Sequence, residues 1–242
     1  MNILTIEGLT KNFGKTMAVD NITLTLRSGE VYALIGPNGS GKTTLIKTIV
    51  GLLRPNHGKI TVDGVDVAKD PARAKQVMGY VPDEPSAWTG MTGEEFLHFM
   101  GAIWGIPEAA RKDRVSALLK MFHLAGIEKG YFEDYSRGNK QKFTIMAGFL
   151  HHPKLLLVDE PIVGLDPESA EIAKKEFRKF ADHGGAVLIA THTLGVAQEI
   201  ANVIGVLKNG KLVASAPFTE LKKKAKLRKA TATLDDVYKV LA

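Results

Sequence analysis

The sequence predicts an α/β fold: a parallel sheet flanked by helices, an antiparallel β layer near its start and an inserted helical block. Three observations predict it. From residue 154 to 207, apolar runs of strand length alternate with helical patterns, as in parallel strands joined by crossover helices. Near the start, residues 3–7 and 22–26 alternate in polarity and read as half-buried strands. Between residues 84 and 149 the pattern turns mostly helical and separates two pieces of α/β sequence.

Taken in order, the two alternating segments flank residues 11–15, a turn that carries one aromatic, Phe13. Residues 31–35, Val-Tyr-Ala-Leu-Ile, are a short apolar run and read as a buried strand. Gly36-Pro37-Asn38-Gly39-Ser40-Gly41-Lys42-Thr43 follows and matches G-x-x-x-x-G-K-[ST] at every fixed position. Residues 43–50 then place Leu45, Ile46, Ile49 and Val50 at helical spacing. Strand, glycine loop and helix form the context in which this pattern holds phosphate. The glycines let backbone N–H groups converge on an anion, and the helix N-terminus adds partial positive charge. Lys42 is expected to reach the outer phosphates, Thr43 to ligate Mg²⁺ and Thr44 to donate to an inner phosphate.

Residues 60–67 read as a hairpin about Asp63-Gly64. Residues 77–81 form a strand that Pro82 ends. Residues 92–124 are helical with a break at 105–107. Phe96, Leu97, Phe99, Met100 and Ile103 suit one buried face, and Val115, Leu118, Leu119 and Phe122 another. A further helix is expected over 140–150. Strands at 154–159, 186–190 and 203–207 alternate with helices at 167–182 and 194–201, and Asn209-Gly210 turns the chain into an edge strand at 211–214.

Composition bounds the function. The 242 residues are 45% hydrophobic and contain no cysteine, which excludes disulfides and thiolate metal sites. Residues 1–7 lack the basic start and apolar core of a signal peptide, and no apolar run is long enough to span a membrane. The net charge is +6, and Lys222, Lys223, Lys224, Lys226, Arg228 and Lys229 alone account for it. Such a cluster suits a solvated helix face, or contact with anionic lipid headgroups or an acidic partner. Nucleic-acid binding is not expected, because the excess charge sits in one short segment rather than over a face.

Residues 155–160, Leu-Leu-Leu-Val-Asp-Glu, read as a buried strand ending in two carboxylates. At the carboxyl end of a parallel strand these face the ligand crevice. Asp159 is suited to holding Mg²⁺, and Glu160 to acting as general base on an attacking water.

With these residues in place, the chain resembles the ATP-binding cassette ATPases over about residues 2–220. Phe13 sits where that family places an aromatic that stacks on adenine, and residues 36–43 match its phosphate loop. Tyr135-Ser136-Arg137-Gly138-Asn139 aligns with the signature Leu-Ser-Gly-Gly-Gln, and Lys140-Gln141-Lys142 follows. Asp159 and Glu160 match the second Walker motif, Gly164-Leu165-Asp166 the loop linking the two sites of a dimer, and Thr191-His192 the switch histidine. The resemblance implies a P-loop NTPase core with an antiparallel layer and a helical subdomain. Residues 1–83 and 150–220 would form the core, 84–149 the subdomain and 221–242 a basic tail. It implies Glu160 and His192 as catalytic. It assigns nucleotide binding to Phe13, residues 36–43 and Thr44, and metal binding to Thr43, Asp83 and Asp159. Ser136, Arg137, Gly138 and Asn139 would close over ATP held by an opposite subunit.

The chain also departs from the family pattern. Asp83 replaces the usual glutamine after the strand ending at Pro82. A carboxylate still ligates Mg²⁺ but donates no hydrogen bond while ionised. Arg137 replaces a glycine, and either supplies charge to phosphate or a partner or is a surface arginine. Residues 82–85, Pro-Asp-Glu-Pro, and the run 136–142 look similar to stand-alone ATPase subunits of multidrug or antibiotic exporters.

The implied partners are ATP, Mg²⁺, a second cassette and a separate transmembrane chain, which would place the protein at the inner face of the cell membrane. Trp88 is either an anchor for that chain or ordinary packing. The other reading is a cassette ATPase that acts as an assembly or regulatory factor without a membrane partner.

Overall fold

The computed structural model describes residues 1–85, 90–227 and 231–241. Trp88, Arg228 and Lys229 lie outside the described residues.

The chain opens with two long antiparallel strands, β1 (Asn2–Phe13) and β2 (Thr16–Arg27). Each runs past the alternating stretch that marks it in sequence. Register shifts near Gly8, with φ +57°, and Asn21, with φ +50°, break the alternation but not the pairing. β4 (His57–Val62) pairs with β1, and β5 (Val65–Asp66) with β4, in a four-stranded sheet of order β2-β1-β4-β5. Asp63 and Gly64 both take positive φ, as a two-residue hairpin turn requires.

The second sheet has six strands in the order β10-β9-β3-β8-β7-β6. These are β3 (Val31–Ile35), β6 (Met78–Val81), β7 (Leu155–Asp159), β8 (Ala186–Thr191), β9 (Val203–Lys208) and β10 (Lys211–Ala216). All neighbours are parallel except β9 and β10. β3, β7 and β8 are buried at every residue, as strands covered on both faces must be.

Register decides where the site lies. Ile35 is level with Thr191, Asp159 with Ala190 and Val81 with Val158. Four adjacent parallel strands therefore end at one line, and whatever follows each of them meets the others.

One face of this sheet packs with α1 (Lys42–Ile49) against the antiparallel layer, around Leu4, Leu26, Leu45 and Leu188. The other face carries α6 (Pro167–Asp182) and the helical block, around Phe122, Phe143, Phe177 and Val187. The block comprises α3 (Gly93–Ile103), α4 (Glu108–Met121), a short 3-10 turn (Phe132–Asp134) and α5 (Arg137–Phe149). Thr92 and Glu95 form a reciprocal capping box at the start of α3, and Gly105 with φ +69° marks the break before α4. α5 begins earlier than its apolar pattern suggests, because the Ser136 hydroxyl accepts from Asn139 N–H as its N-cap.

Two further helices, α2 (Pro71–Gln76) and α9 (Leu234–Leu241), have no counterpart in the sequence reading, and α8 (Phe218–Lys224) bears out a helix under part of the basic cluster. α2 is capped by Asp70. α8 and α9 occupy the region read as a basic tail. Leu221, Ala225, Leu234 and Val237 are buried against α7 (Leu194–Ile200) and β9, while Lys223, Lys224 and Lys226 are exposed. Lysine-rich composition masks the Leu221/Ala225 pair, whose four-residue spacing buries one helix face.

Candidate functional site

The loop after β3 turns sharply into α1. Gly41, with φ +107°, is the N-cap, and a Cβ there would lie 2.2 Å from the Ala18 carbonyl oxygen on β2. No side chain caps α1, so its first N–H groups remain directed toward the loop. Lys42 is buried, and its ammonium donates to the Gly36 carbonyl at 2.8 Å and the Pro37 carbonyl at 3.2 Å. Burial lowers its pKa, and the negative charges of Glu160 and Asp159 act against that shift.

Asp159 ends β7 with 1% of its surface exposed. Burial raises its pKa, the Thr43 hydroxyl lowers it, and Glu160 and Asp83 raise it further. Thr43 thus lies beside the carboxylate, yet neither oxygen has a hydrogen-bond partner of sound geometry among the described residues. An orphaned buried carboxylate beside a threonine hydroxyl fits a Mg²⁺ ion. Mg²⁺ is typically held by one or two protein oxygens together with substrate phosphates and water. Among the described residues no group of three His, Cys, Asp or Glu side chains converges to hold a metal alone.

Glu160 is the opposite case. Its backbone is in the left-handed region, φ +47°, and its N–H donates to Ala190 O at 2.9 Å. One carboxylate oxygen accepts from the Thr191 hydroxyl at 2.9 Å, and the other from His192 N–H at 3.0 Å and His192 Nδ1 at 2.8 Å. An ionised carboxylate only accepts, so Nδ1 carries the proton and Nε2 is the acceptor nitrogen of a half-exposed ring. Backbone strain at this residue is held by the end of β8.

Ala18, Asn38, Gly39, Gly41, Lys42, Thr43, Thr44, Asp83 and Glu160 line one cavity of about 350 Å³. Asp83, just past β6, accepts at Oδ1 from Arg137 Nη2 at 3.1 Å. The structure thus brings the phosphate loop, Asp83, Asp159, Glu160 and His192 together. Ser40 is buried within the loop. Ser136, Gly138 and Asn139 lie at the start of α5 and do not line this cavity, nor does Phe13, whose half-exposed ring lies under the Lys11 ammonium at 5.0 Å. Sequence reasoning missed Thr191 as the holder of Glu160. A threonine closing an otherwise apolar strand, directly before His192, was the available signal.

Comparison with known proteins agrees with this geometry. The model of the ABC transporter family matches residues 19–163. The chain is 34% identical to the linearmycin resistance ATP-binding protein LnrL of Bacillus subtilis (strain 168), over 90% of this chain and 70% of that one. It is 32% identical to the ABC-type transporter ATP-binding protein EcsA of the same organism, over 98% and 96%. A solved ATP-binding subunit of an ABC transporter superposes with a TM-score of 0.93 at 31% identity, covering 99% of both chains. ATPases of this family bind ATP with Mg²⁺, and their cassettes dimerise. With its motifs in register at four level strand ends, the chain belongs to the ABC transporter family, as one of its ATP-hydrolysing, ATP-binding subunits.

Proposed function

We propose that this chain powers a membrane exporter whose spanning part is a separate polypeptide, and that it works at the inner face of the membrane as one of two cassettes. The observation that carries the catalytic part is the level ending of β3, β6, β7 and β8. It supports this reading by bringing Lys42 and Glu160 to one cavity, with Asp159 beside Thr43 and His192 bonded to Glu160.

The roles follow from the chemistry. Residues 36–43 wrap the phosphates, with Lys42 leaving the loop carbonyls for phosphate oxygens and Thr44 donating to an inner phosphate. Thr43, Asp159 and Asp83 would hold Mg²⁺, which when bound screens phosphate charge. Glu160 is the general base for water, oriented by Thr191 and His192. His192 Nε2 faces the outer phosphate, and Phe13 offers a face to the adenine. Ser136, Arg137, Gly138 and Asn139, at the N-terminus of α5, meet the nucleotide of the opposite subunit, which the helix dipole favours.

Support for a separate membrane chain is twofold. No described helix is long and apolar enough to cross a membrane. A cavity of about 340 Å³ lined by Val50, Met78, Tyr80, Phe96, Met100 and Trp104 lies between the core and the helical block, and it would take one or two apolar side chains from a helix of the membrane chain laid across it. The resistance-type relative supports an exporter. We place the core in residues 1–83 and 150–220 and the helical subdomain in 84–149.

The test uses Glu160→Gln. With ATP it is expected to accumulate as a dimer in light scattering, and adding Ser136→Arg is expected to return it to monomer. The variant should co-purify with a multi-spanning protein from detergent extracts. Wild-type turnover by Glu160→Gln would overturn the catalytic assignment, and the failure of any multi-spanning protein to co-purify from native detergent extracts would overturn the transport reading.

A further inference from the structure

The two clearest departures from the family pattern, Asp83 and Arg137, touch each other. The Asp83 carboxylate lines the phosphate cavity, whereas Arg137 is the first residue of α5 and belongs to the helical block. The guanidinium therefore reaches back from the signature to the cavity of its own chain, at 3.1 Å from Asp83. Gly164 gives it a path. A Cβ at that residue would lie 3.2 Å from Arg137 Cδ and 3.3 Å from Cγ, so the arginine stem runs flat over the glycine.

Among the described residues lining the cavity, Asp83 and Glu160 are acidic and Lys42 is basic. Asp159 adds a third carboxylate just behind, and the charge of Asp83 is felt there, since it helps push the Asp159 carboxyl up. The Tyr80 hydroxyl, pushed up to about 12, responds chiefly to burial and then to the same two aspartates. A triphosphate entering this cavity meets like charge at close range, a repulsion that one nearby guanidinium offsets.

We infer that Arg137 serves the phosphate pocket of its own chain as a positioning residue, neutralising Asp83 through the ion pair so that the pocket accepts the polyanionic tail of ATP. This role is distinct from contact with nucleotide on an opposite subunit, and it rests on the reading of the cavity as the ATP phosphate site. Arg137 acts through Asp83, so its effect exists only while Asp83 is charged.

The experiment measures ATP dissociation constants of the monomeric full chain in EDTA at low salt. It compares wild type, Arg137→Gln, Asp83→Asn and the double variant. Arg137→Gln is expected to weaken ATP about two- to fivefold, the range for an exposed ion pair, and to have no effect when Asp83 is already Asn. Asp83→Asn alone is expected to tighten ATP by a similar factor, and Arg137→Lys to restore part of the loss. Raising the salt well beyond 0.15 M should erase these differences, since the Debye length there falls below about 8 Å. Equal weakening by Arg137→Gln in both backgrounds would overturn the inference, because the arginine would then act on phosphate or on helix structure. No effect in any variant at low salt would overturn it too. Lys42→Ala separates the two levels. If it weakens ATP while the Arg137 series is flat, the pocket reading stands and this inference falls.

Discussion

The strand ends and the start of α5 hold functional groups in contrasting ways. At the strand ends, Glu160 is fixed by a hydroxyl, a backbone N–H and an imidazole, all at the ends of interior strands paired on both sides. At the start of α5, Arg137 is held by one ion pair with both partners roughly half exposed, and Ser136 by a single cap bond of 3.3 Å. The first arrangement is over-determined and resists displacement. The second rests on contacts individually worth about 1 kcal/mol or less, so its groups change partners at little cost. The groups proposed as catalytic are thus fixed by the sheet, and the part proposed to meet another subunit is left weakly tied.

The largest effect should come from breaking the over-determined side. Glu160→Gln keeps the planar shape of the carboxylate but removes the proposed base, so turnover should fall by about 10²–10⁴ while ATP binding persists. Single-turnover hydrolysis checks this, and a loss below tenfold would show that the network orients water without taking its proton. Next, Lys42→Ala removes a buried cation and should cost about 1.5–3 kcal/mol of ATP affinity, roughly ten- to 150-fold, in equilibrium binding. Unchanged affinity in a folded variant would shift phosphate recognition onto the loop N–H groups alone.

Asp159 sharpens the comparison because it is a buried carboxylate without a hydrogen-bond partner among the described residues, on the rigid side. Its pKa is raised, so its charged form is disfavoured in the folded state. The folded chain therefore binds the proton more readily than the unfolded chain, and this destabilisation is present above the raised pKa. It fades as pH falls through that value toward the ordinary 3.8. Asp159→Asn should accordingly stabilise the nucleotide-free protein by about 1 kcal/mol at neutral pH, and the gain should shrink in acid. Denaturant melts across pH measure this. A destabilised variant would mean that the attraction to Lys42 outweighs the burial cost.

Legibility in sequence follows the same division. The strand over residues 31–35 and the start of the helix at Pro167 were readable to the residue, because a fully buried strand and a proline-started helix write these limits into local pattern. The phosphate loop and the Asp159–Glu160 pair were readable because their chemistry needs fixed neighbours. Other features were not. α2 is six residues long and carries no apolar stripe, and α8 hides one buried leucine among lysines. The Asp83–Arg137 contact spans 54 residues, and the role of Thr191 depends on β7 and β8 ending level. Both exist only once the sheet and the helical block are packed.

The smallest effect probes the loop beneath the signature. Asp166 caps α6 by accepting from Ser169 N–H at 2.8 Å and from the Ser169 hydroxyl at 2.7 Å, and it pairs with Lys142 of α5 at 3.0 Å. The Ser169 bonds, then Lys142, hold its carboxyl well below the usual range. A depressed pKa contributes stability above the ordinary aspartate value, and that contribution is lost as pH falls through the folded pKa. Asp166→Ala removes both cap and ion pair and should cost about 1 kcal/mol at neutral pH, with a smaller difference in strong acid. Asp166→Asn keeps a good cap and removes only the charge, so it should cost no more than about 0.5 kcal/mol, because the pair is half exposed on the aspartate side. The gap between the two variants measures the cap, and the remainder measures the tie between α5 and this loop. If Asp166→Asn proves as costly as Asp166→Ala, the ion pair carries the tie. The start of α5 would then be bound to the core as firmly as the strand ends are to each other, and the weakly tied signature would be the part of the comparison to abandon.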